Sequence, residues 1–261
     1  MEENKNPEEK NEPIEGTVVE KTVVEETAKD STKAEVKEDL KAAKEKISKQ
    51  TENIKNETKD TVNKVKETIK STDFKKDANE TTGFVKDMFF NPFEAVKRAA
   101  DEENIIGKVI ILMIVFIVAN VIKTIIRLPS VGFFDFGINF IKLLLSIISP
   151  IITVIVPALV ILVFNRENKK SLLTIISTVV VAKIPLIFNT ILAIISSLIS
   201  ELSIITSPIN ATLTAVSTIL LYFGYKELAN KEEKGSTILT FALIILISEA
   251  ILVLLSRIGI Y

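Results

Sequence analysis

The chain has 261 residues, of which 48% are hydrophobic and 25% charged, and its formal net charge is -1. Cysteine, histidine and tryptophan are absent, which excludes disulfides, thiol chemistry, histidine-based acid/base catalysis and the usual zinc sites. The averages conceal two regions, because up to Lys108 there are 26 acidic and 21 basic residues and beyond it only seven and eleven. We therefore expect a charged N-terminal arm that cannot bury a core, followed by an apolar domain that crosses a membrane several times.

The N-terminal arm divides into a charged tail and a repeat. Residues 1–32 are rich in Glu, Lys, Asn and Thr, and we expect them to be disordered. From residue 33 a unit of eleven residues recurs, with the copies KAEVKEDLKAA, KEKISKQTENI, KNETKDTVNKV and KETIKSTDFKK, which predicts an amphipathic helix over residues 33–70. Eleven residues make about three turns of α-helix, so the apolar positions form one narrow stripe. The stripe residues are Val36, Leu40, Ala43, Ile47, Ile54, Val62, Val65 and Ile69.

The repeat is similar to the eleven-residue repeats of late-embryogenesis-abundant and synuclein-like proteins, which implies a helix that forms on lipid. A long isolated helix with few apolar anchors is marginal in water, whereas a tether to a membrane span raises its effective concentration at the bilayer. Two alternatives stay open. The arm is either a solvated charged segment that is helical part of the time, or a helix bound to an anionic lipid surface or a coiled-coil partner.

A second, short helix is predicted in residues 71–104, which link the repeat to the membrane domain. In the segment GFVKDMFFNPFEAVKRAADEEN, the residues Asn91, Pro92 and Glu94 take the N-cap, N1 and N3 positions of a helix. The phenylalanines around this start, such as Phe90, give the region more apolar surface than the arm before it. This composition favours an interfacial helix that leads into the first membrane span.

Five apolar stretches after the linker predict an all-α fold, a polytopic bundle of transmembrane helices in residues 105–261. A hydrocarbon layer about 30 Å thick requires about 20 residues at a rise of about 1.5 Å per residue. The predicted spans are residues 105–126, 136–164, 171–199, 209–228 and 236–258. The second span exceeds the required length, and we expect it to kink at Pro150 and Pro157.

The basic residues of the short loops predict the orientation of the bundle. Lys and Arg follow the second and fourth spans and precede the first, whereas the loop between the third and fourth spans has none. The positive-inside rule then places the N-terminus in the cytoplasm and the C-terminus outside a cell membrane.

Tyr222 and Tyr225 fall at the cytoplasmic end of the fourth span, where we expect their rings at the headgroup level. Lys142 and Arg257 lie close to the outer face, where snorkelling accounts for them.

Two charges of opposite sign are predicted near the middle of the membrane. Lys183 lies about twelve residues into the third span and Glu249 about thirteen into the fifth, a depth difference of about 2 Å. We expect them to pair within the bundle, because a lysine at this depth costs about 3 kcal/mol on the insertion scale and requires a partner or a wet cavity. The alternative is that each reaches a separate polar pocket or water.

In the fourth span, a face of small residues suits close helix packing. That face consists of Ala211, Ala215 and Thr218.

The order of these features resembles the Yip1-domain family over residues 88–258. The resemblance rests on FFNPFEAVKR before the first span, VAKIP in the third span, KGSTILTFALIIL leading into the last, and five spans with an internal N-terminus. It implies that Pro185, with the small neighbour Ala182, bends the third span. It also implies a non-enzymatic membrane protein that recruits partners or organises lipid, and it leaves the arm and Lys183 unexplained.

Two functions follow as hypotheses. The first is membrane organisation, in which the embedded bundle displays the cytoplasmic repeat to lipid or to an unknown protein partner. The second is a small secondary transporter or channel that uses Lys183 and Glu249, although no inverted repeat is visible. Walker, GxSxG and HExxH motifs are missing, so we expect no enzyme activity, no cofactor, no metal and no nucleic-acid partner. The expected partners are the lipid bilayer, a protein and, in a homo-oligomer, a second copy of the chain.

Overall fold

The computed structural model describes most of the chain from residue 51 onward. The described ranges are residues 51–70, 74–101, 105–128, 136–165, 170–199, 202–230 and 235–259, together with residues 44, 48 and 49. The chain divides into two compact units, Met1–Lys55 and Asn56–Tyr261. In the first unit the described residues are helical. The predicted tail, residues 1–32, lies outside the described residues. So do four stripe positions, which are Val36, Leu40, Ala43 and Ile47.

The second unit is helical throughout its described ranges. Its first helix, α1, covers residues 56–70. The helices that follow are α2 (Phe74–Phe90), α3 (Pro92–Asp101), α4 (Ile106–Arg127), α5 (Phe136–Phe164), α6 (Leu172–Ala182), α7 (Ile184–Leu198), α8 (Ser203–Ala229) and α9 (Gly235–Arg257). No strand occurs among the described residues. The predicted all-α fold is confirmed.

The helices of the apolar domain have the length and composition of membrane spans. Within the described ranges, α4, α5, α8 and α9 are each long and apolar enough to cross a membrane. Helices α6 and α7 together form a further candidate, bent by 43° at the junction between them. The prediction of a polytopic membrane bundle is confirmed, with five spans when the bent pair counts as one.

The fourth span begins earlier than the sequence indicates. Helix α8 starts at Ser203 and contains Pro208, whereas the predicted span starts at residue 209. A proline inside a helix removes the hydrogen bond to the carbonyl four residues before it, which here belongs to Ile204. Ile204 is the second residue of the helix and is 82% exposed, so the lost hydrogen bond falls in the first turn, and α8 is helical on both sides of Pro208.

Helix α6 lies at the centre of the bundle. It packs against α3, α5 and α8, and nine of its eleven residues are buried, so almost no face is left for lipid. Its second half, Thr178 to Ala182, consists of small or β-branched residues that let neighbouring backbones approach closely. Helix α9, by contrast, packs mainly on α5 at the edge of the bundle.

Candidate functional site

The third span is broken at Lys183. This residue has φ −93° and ψ 3°, outside the helical minimum, and it joins α6 to α7. Its carbonyl accepts a hydrogen bond from the Leu186 N–H at 2.9 Å, the i to i+3 spacing of a tightened turn. Pro185 follows two residues later and has no N–H to donate to the carbonyl of Val181. The assignment of the bend to Pro185 stays a prediction that its substitution can test.

The environment of Lys183 is apolar along the chain. The neighbours Val181, Ala182, Ile184 and Pro185 are buried, while Lys183 itself is half-buried. A lysine in such a place requires a counter-charge or water.

Glu249 on α9 is the acidic group that acts electrostatically on Lys183. Its side chain is exposed, and no nitrogen–oxygen distance of 4.0 Å or less joins the two residues in the described structure. The fold therefore brings the two charges into each other's field without direct contact, and their pairing stays a prediction. In the part of the chain that is described, no three His, Cys, Asp or Glu side chains cluster as a metal site would require.

The two prolines of the second span lie inside a single helix. Pro150 and Pro157 are both buried in α5, which is assigned as helical from Phe136 to Phe164. Thr153, between them, donates its hydroxyl to the carbonyl of Ser149 at 2.8 Å. Helix α5 thus continues through both prolines, whereas the third span is interrupted next to one. Kinks at Pro150 and Pro157 stay predictions.

The short juxtamembrane helix α3 is docked on the bundle. Helix α3 begins at Pro92, and the Asn91 carbonyl accepts the first helical hydrogen bond, from the Ala95 N–H at 3.1 Å. One face of α3 is fully buried against α6 and α8. That face consists of Ala95, Val96, Ala99 and Ala100, all 0% exposed. Glu94, in the first turn, is exposed, where its charge suits the helix N-terminus.

Three helices meet at Gly224 of α8. A Cβ atom at this position would lie 2.5 Å from Cγ2 of Thr178 on α6 and 3.0 Å from Cγ1 of Val96 on α3. Both distances are shorter than carbon atoms tolerate without movement, so a side chain at this position would force Thr178 or Val96 to shift. Gly224 could not be identified from the sequence, because a glycine in an apolar helix carries no sign of which neighbour approaches it.

Ring contacts add to the docking of α2 and α3. Phe89 meets Phe188 of α7 edge-on with ring centroids 4.8 Å apart, and Phe93 meets Phe223 of α8 at 4.4 Å. Such pairs contribute about 0.5–1.5 kcal/mol each beyond their buried area. Phe90, at the junction between α2 and α3, stays 83% exposed and is left available to lipid or a partner.

Charged contacts join the juxtamembrane helices to the spans. Lys170, just before α6, donates to the carbonyl of Ala100 at 3.0 Å and pairs with Asp101 at 3.2 Å, so it covers the C-terminal end of α3. Lys108 of α4 lies 3.5 Å from Glu80 of α2. The juxtamembrane segment is therefore attached to the bundle by polar as well as apolar contacts.

The rotation of α8 decides which of its residues meet other helices of the chain. Tyr225 is 0% exposed and lies beside Phe241 of α9, with ring centroids 5.9 Å apart. Its position at the headgroup level, and that of Tyr222, stay predictions. The small-residue face, Ala211, Ala215 and Thr218, is exposed within the chain, so its use in close helix packing also stays a prediction.

The repeat retains exposed apolar residues in the region that is described. Val62 and Ile69 on α1 are 45% and 44% exposed, and Ile54 and Val65 are partly exposed. Polar side chains of α1, such as Asp60 and Lys64, line a cavity of about 470 Å³ together with Lys170 at the start of α6. A substantial part of the stripe is thus left uncovered.

A model of the Yip1 domain matches residues 86–255. The chain belongs to the Yip1 domain family. The match begins inside α2 and ends inside α9, so the docked helix α3, the broken third span and Gly224 all lie within the Yip1 domain. The repeat lies outside it. No curated protein and no solved structure gives a significant match to the chain.

Proposed function

We propose that this Yip1-domain protein is a non-enzymatic organiser of the cell membrane that recruits a partner through its N-terminal arm. The observation that carries the proposal is the uncovered apolar surface just before the first span. Val62 and Ile69 of α1 and Phe90 of α2 are each more than 40% exposed. Exposed apolar side chains next to a membrane domain suit insertion into an anionic lipid surface or contact with a partner helix.

Lipid binding by the repeat can be tested directly, because the chain contains no cysteine. Single cysteines at Val62, in the stripe, and at Asn63, on the polar side, carry an environment-sensitive dye in the full-length protein reconstituted in anionic vesicles. We expect the dye at position 62 to report a less polar environment than the dye at position 63. Equal spectra at the two positions contradict lipid binding. A pull-down from native membranes with and without residues 1–80 then identifies a protein partner.

The proposed orientation places the N-terminus in the cytoplasm and the C-terminus outside, in accordance with the basic residues of the loops. Single cysteines near Met1 and Tyr261 report it through a membrane-impermeant maleimide applied to intact cells. We expect labelling near Tyr261 before permeabilisation and near Met1 only after it. The reverse pattern contradicts the orientation and the cytoplasmic role of the arm.

A transporter or channel is the second candidate, favoured by the broken third span. Helices interrupted near the membrane centre form the substrate and ion sites of many transporters, and here Lys183 occupies the break in the field of Glu249. In proteoliposomes, ion or proton flux abolished by Glu249→Gln supports this function. Flux that is absent, or unchanged by Glu249→Gln, favours membrane organisation instead.

A further inference from the structure

A cavity with three basic side chains in its lining lies between the C-terminal part of α4 and the N-terminal part of α5. Its volume is about 400 Å³, within the range of small-ligand sites. Three basic side chains line it, Lys123 and Arg127 from α4 and Lys142 from α5. No acidic side chain lines it in the described part of the chain. On α4, the cavity lies at the opposite end from Lys108, which contacts Glu80 of α2.

These three cations differ from three others that lie at the opposite end of the bundle. There, Arg98, Lys108 and Lys170 each lie within 4.0 Å of a carboxylate. Among the described residues, none of the three cavity cations has such a partner. Arg127 alone makes a hydrogen bond to another side chain, from its Nε to the Ser197 hydroxyl at 3.3 Å.

The connections at this end do not hold enough acidic residues to neutralise the cluster. By sequence they contain two carboxylates, Asp135 and Glu201, both outside the described ranges. Arg257, at the end of α9, adds a fourth cation to the three of the cavity. An excess of positive charge therefore remains even if both carboxylates lie near the cavity.

Three neutral polar side chains that line the cavity already donate hydrogen bonds within their own helices. Asn120 donates its Nδ2 to the Phe116 carbonyl at 2.9 Å, and the Thr124 hydroxyl donates to the Asn120 carbonyl at 2.9 Å. On α5, the Ser146 hydroxyl donates to the Leu143 carbonyl at 2.6 Å. The lining donors that remain are the Ser149 hydroxyl, the two ammonium groups and the Nη atoms of the guanidinium, and three of these four groups are cationic. A fitting ligand is thus an anion with several acceptor oxygens.

We propose that this cavity binds a phosphate group, with Lys123, Arg127 and Lys142 as its ligands. Phosphate presents several charged oxygens to cations that come from two helices, and a guanidinium binds two of them side by side. Snorkelling explains a lone lysine at a span end, but it gives no reason for three cations to share one cavity. Basic pockets between transmembrane helices bind lipid headgroups on the cytoplasmic side of membranes, and phospholipids of the outer leaflet carry the same phosphate group. The expected source is therefore the phosphate of an anionic phospholipid.

The test uses the full-length protein purified in detergent, with phosphatidylglycerol as the lipid probe and inorganic phosphate as the free anion. Native mass spectrometry gives the apparent dissociation constant for the lipid, and the shift of the unfolding temperature reports binding of phosphate. The triple variant Lys123→Gln, Arg127→Gln, Lys142→Gln removes the three charges. Arg257→Gln is the matched control, because it removes a cation at the same end that does not line the cavity.

We expect the triple variant to bind phosphatidylglycerol at least about tenfold more weakly. A factor of ten corresponds to about 1.4 kcal/mol, which is the contribution of one charge-assisted hydrogen bond. The control should bind like the unmodified protein. If the triple variant does not fold, Lys142→Gln replaces it, since this side chain is exposed, and Lys142→Arg should retain binding. Binding of the lipid but not of inorganic phosphate identifies a headgroup site, and the reverse identifies a free-anion site. Equal binding by the unmodified protein and the charge variants, or no binding of either probe, overturns the proposal.

Discussion

Gly224 offers the sharpest test of how the juxtamembrane helix is held. Gly224→Ala places a methyl group 2.5 Å from Cγ2 of Thr178 and 3.0 Å from Cγ1 of Val96. In an open helix the same change is favourable by about 1 kcal/mol, because alanine has the higher helix propensity. Here the added carbon overpacks a crossing of three helices, which costs about 1–3 kcal/mol or more. Since both facing atoms belong to buried β-branched side chains, we expect the cost to exceed the gain.

The measurement is the unfolding temperature of the purified protein in detergent. Three further variants separate the effect of helix propensity from the effect of overpacking. Gly83→Ala is the matched control, because no atom lies within 4 Å of a Cβ atom there, and it should leave stability unchanged or raise it. Thr178→Ser removes the facing methyl group, so the double variant Gly224→Ala, Thr178→Ser should be less destabilised than the two single effects added together. A Gly224→Ala variant as stable as the unmodified protein contradicts overpacking at this crossing. So does a double variant that is no more stable than the sum of the two single effects.

Three further predictions concern other contacts of the Yip1 domain. Lys170→Gln should lower the free energy of unfolding by about 0.5–1 kcal/mol, because the C-terminal end of α3 loses its cation. Limited proteolysis should then cut faster at the end of α3. Equal cleavage rates in the variant and the unmodified protein contradict this. Pro185→Ala should straighten the third span, which is bent by 43°. With a rise of about 1.5 Å per residue on each side of the bend, the distance between spin labels at positions 171 and 198 should grow by about 3 Å. An unchanged distance shows that Pro185 does not cause the bend. Lys183→Glu combined with Glu249→Lys should restore the expression and folding lost in either single variant, and a double variant no better than the singles excludes the pair.

The sequence alone determined the membrane spans and the family. In hydrocarbon, every backbone N–H and C=O must be satisfied within the segment, so a run of about 20 apolar residues is helical whatever surrounds it. This is why α4, α5 and α9 lie within a few residues of their predicted limits. The start of α3 at Pro92 is equally local, because the ring of a proline at the first helical position fixes φ near the helical value.

Only the tertiary structure decided which faces of these helices meet. Apolar residues surround most spans, so hydropathy does not distinguish a face that packs on another helix from one that meets lipid. The burial of Tyr225, the exposure of Ala215 and the close approach at Gly224 all depend on the rotation of α8 about its axis. The gathering of Lys123, Arg127 and Lys142 around one cavity depends likewise on how α4 and α5 pair. The physical reason is that helix formation in a membrane is local, whereas rotation and pairing are set by contacts between residues far apart in the chain.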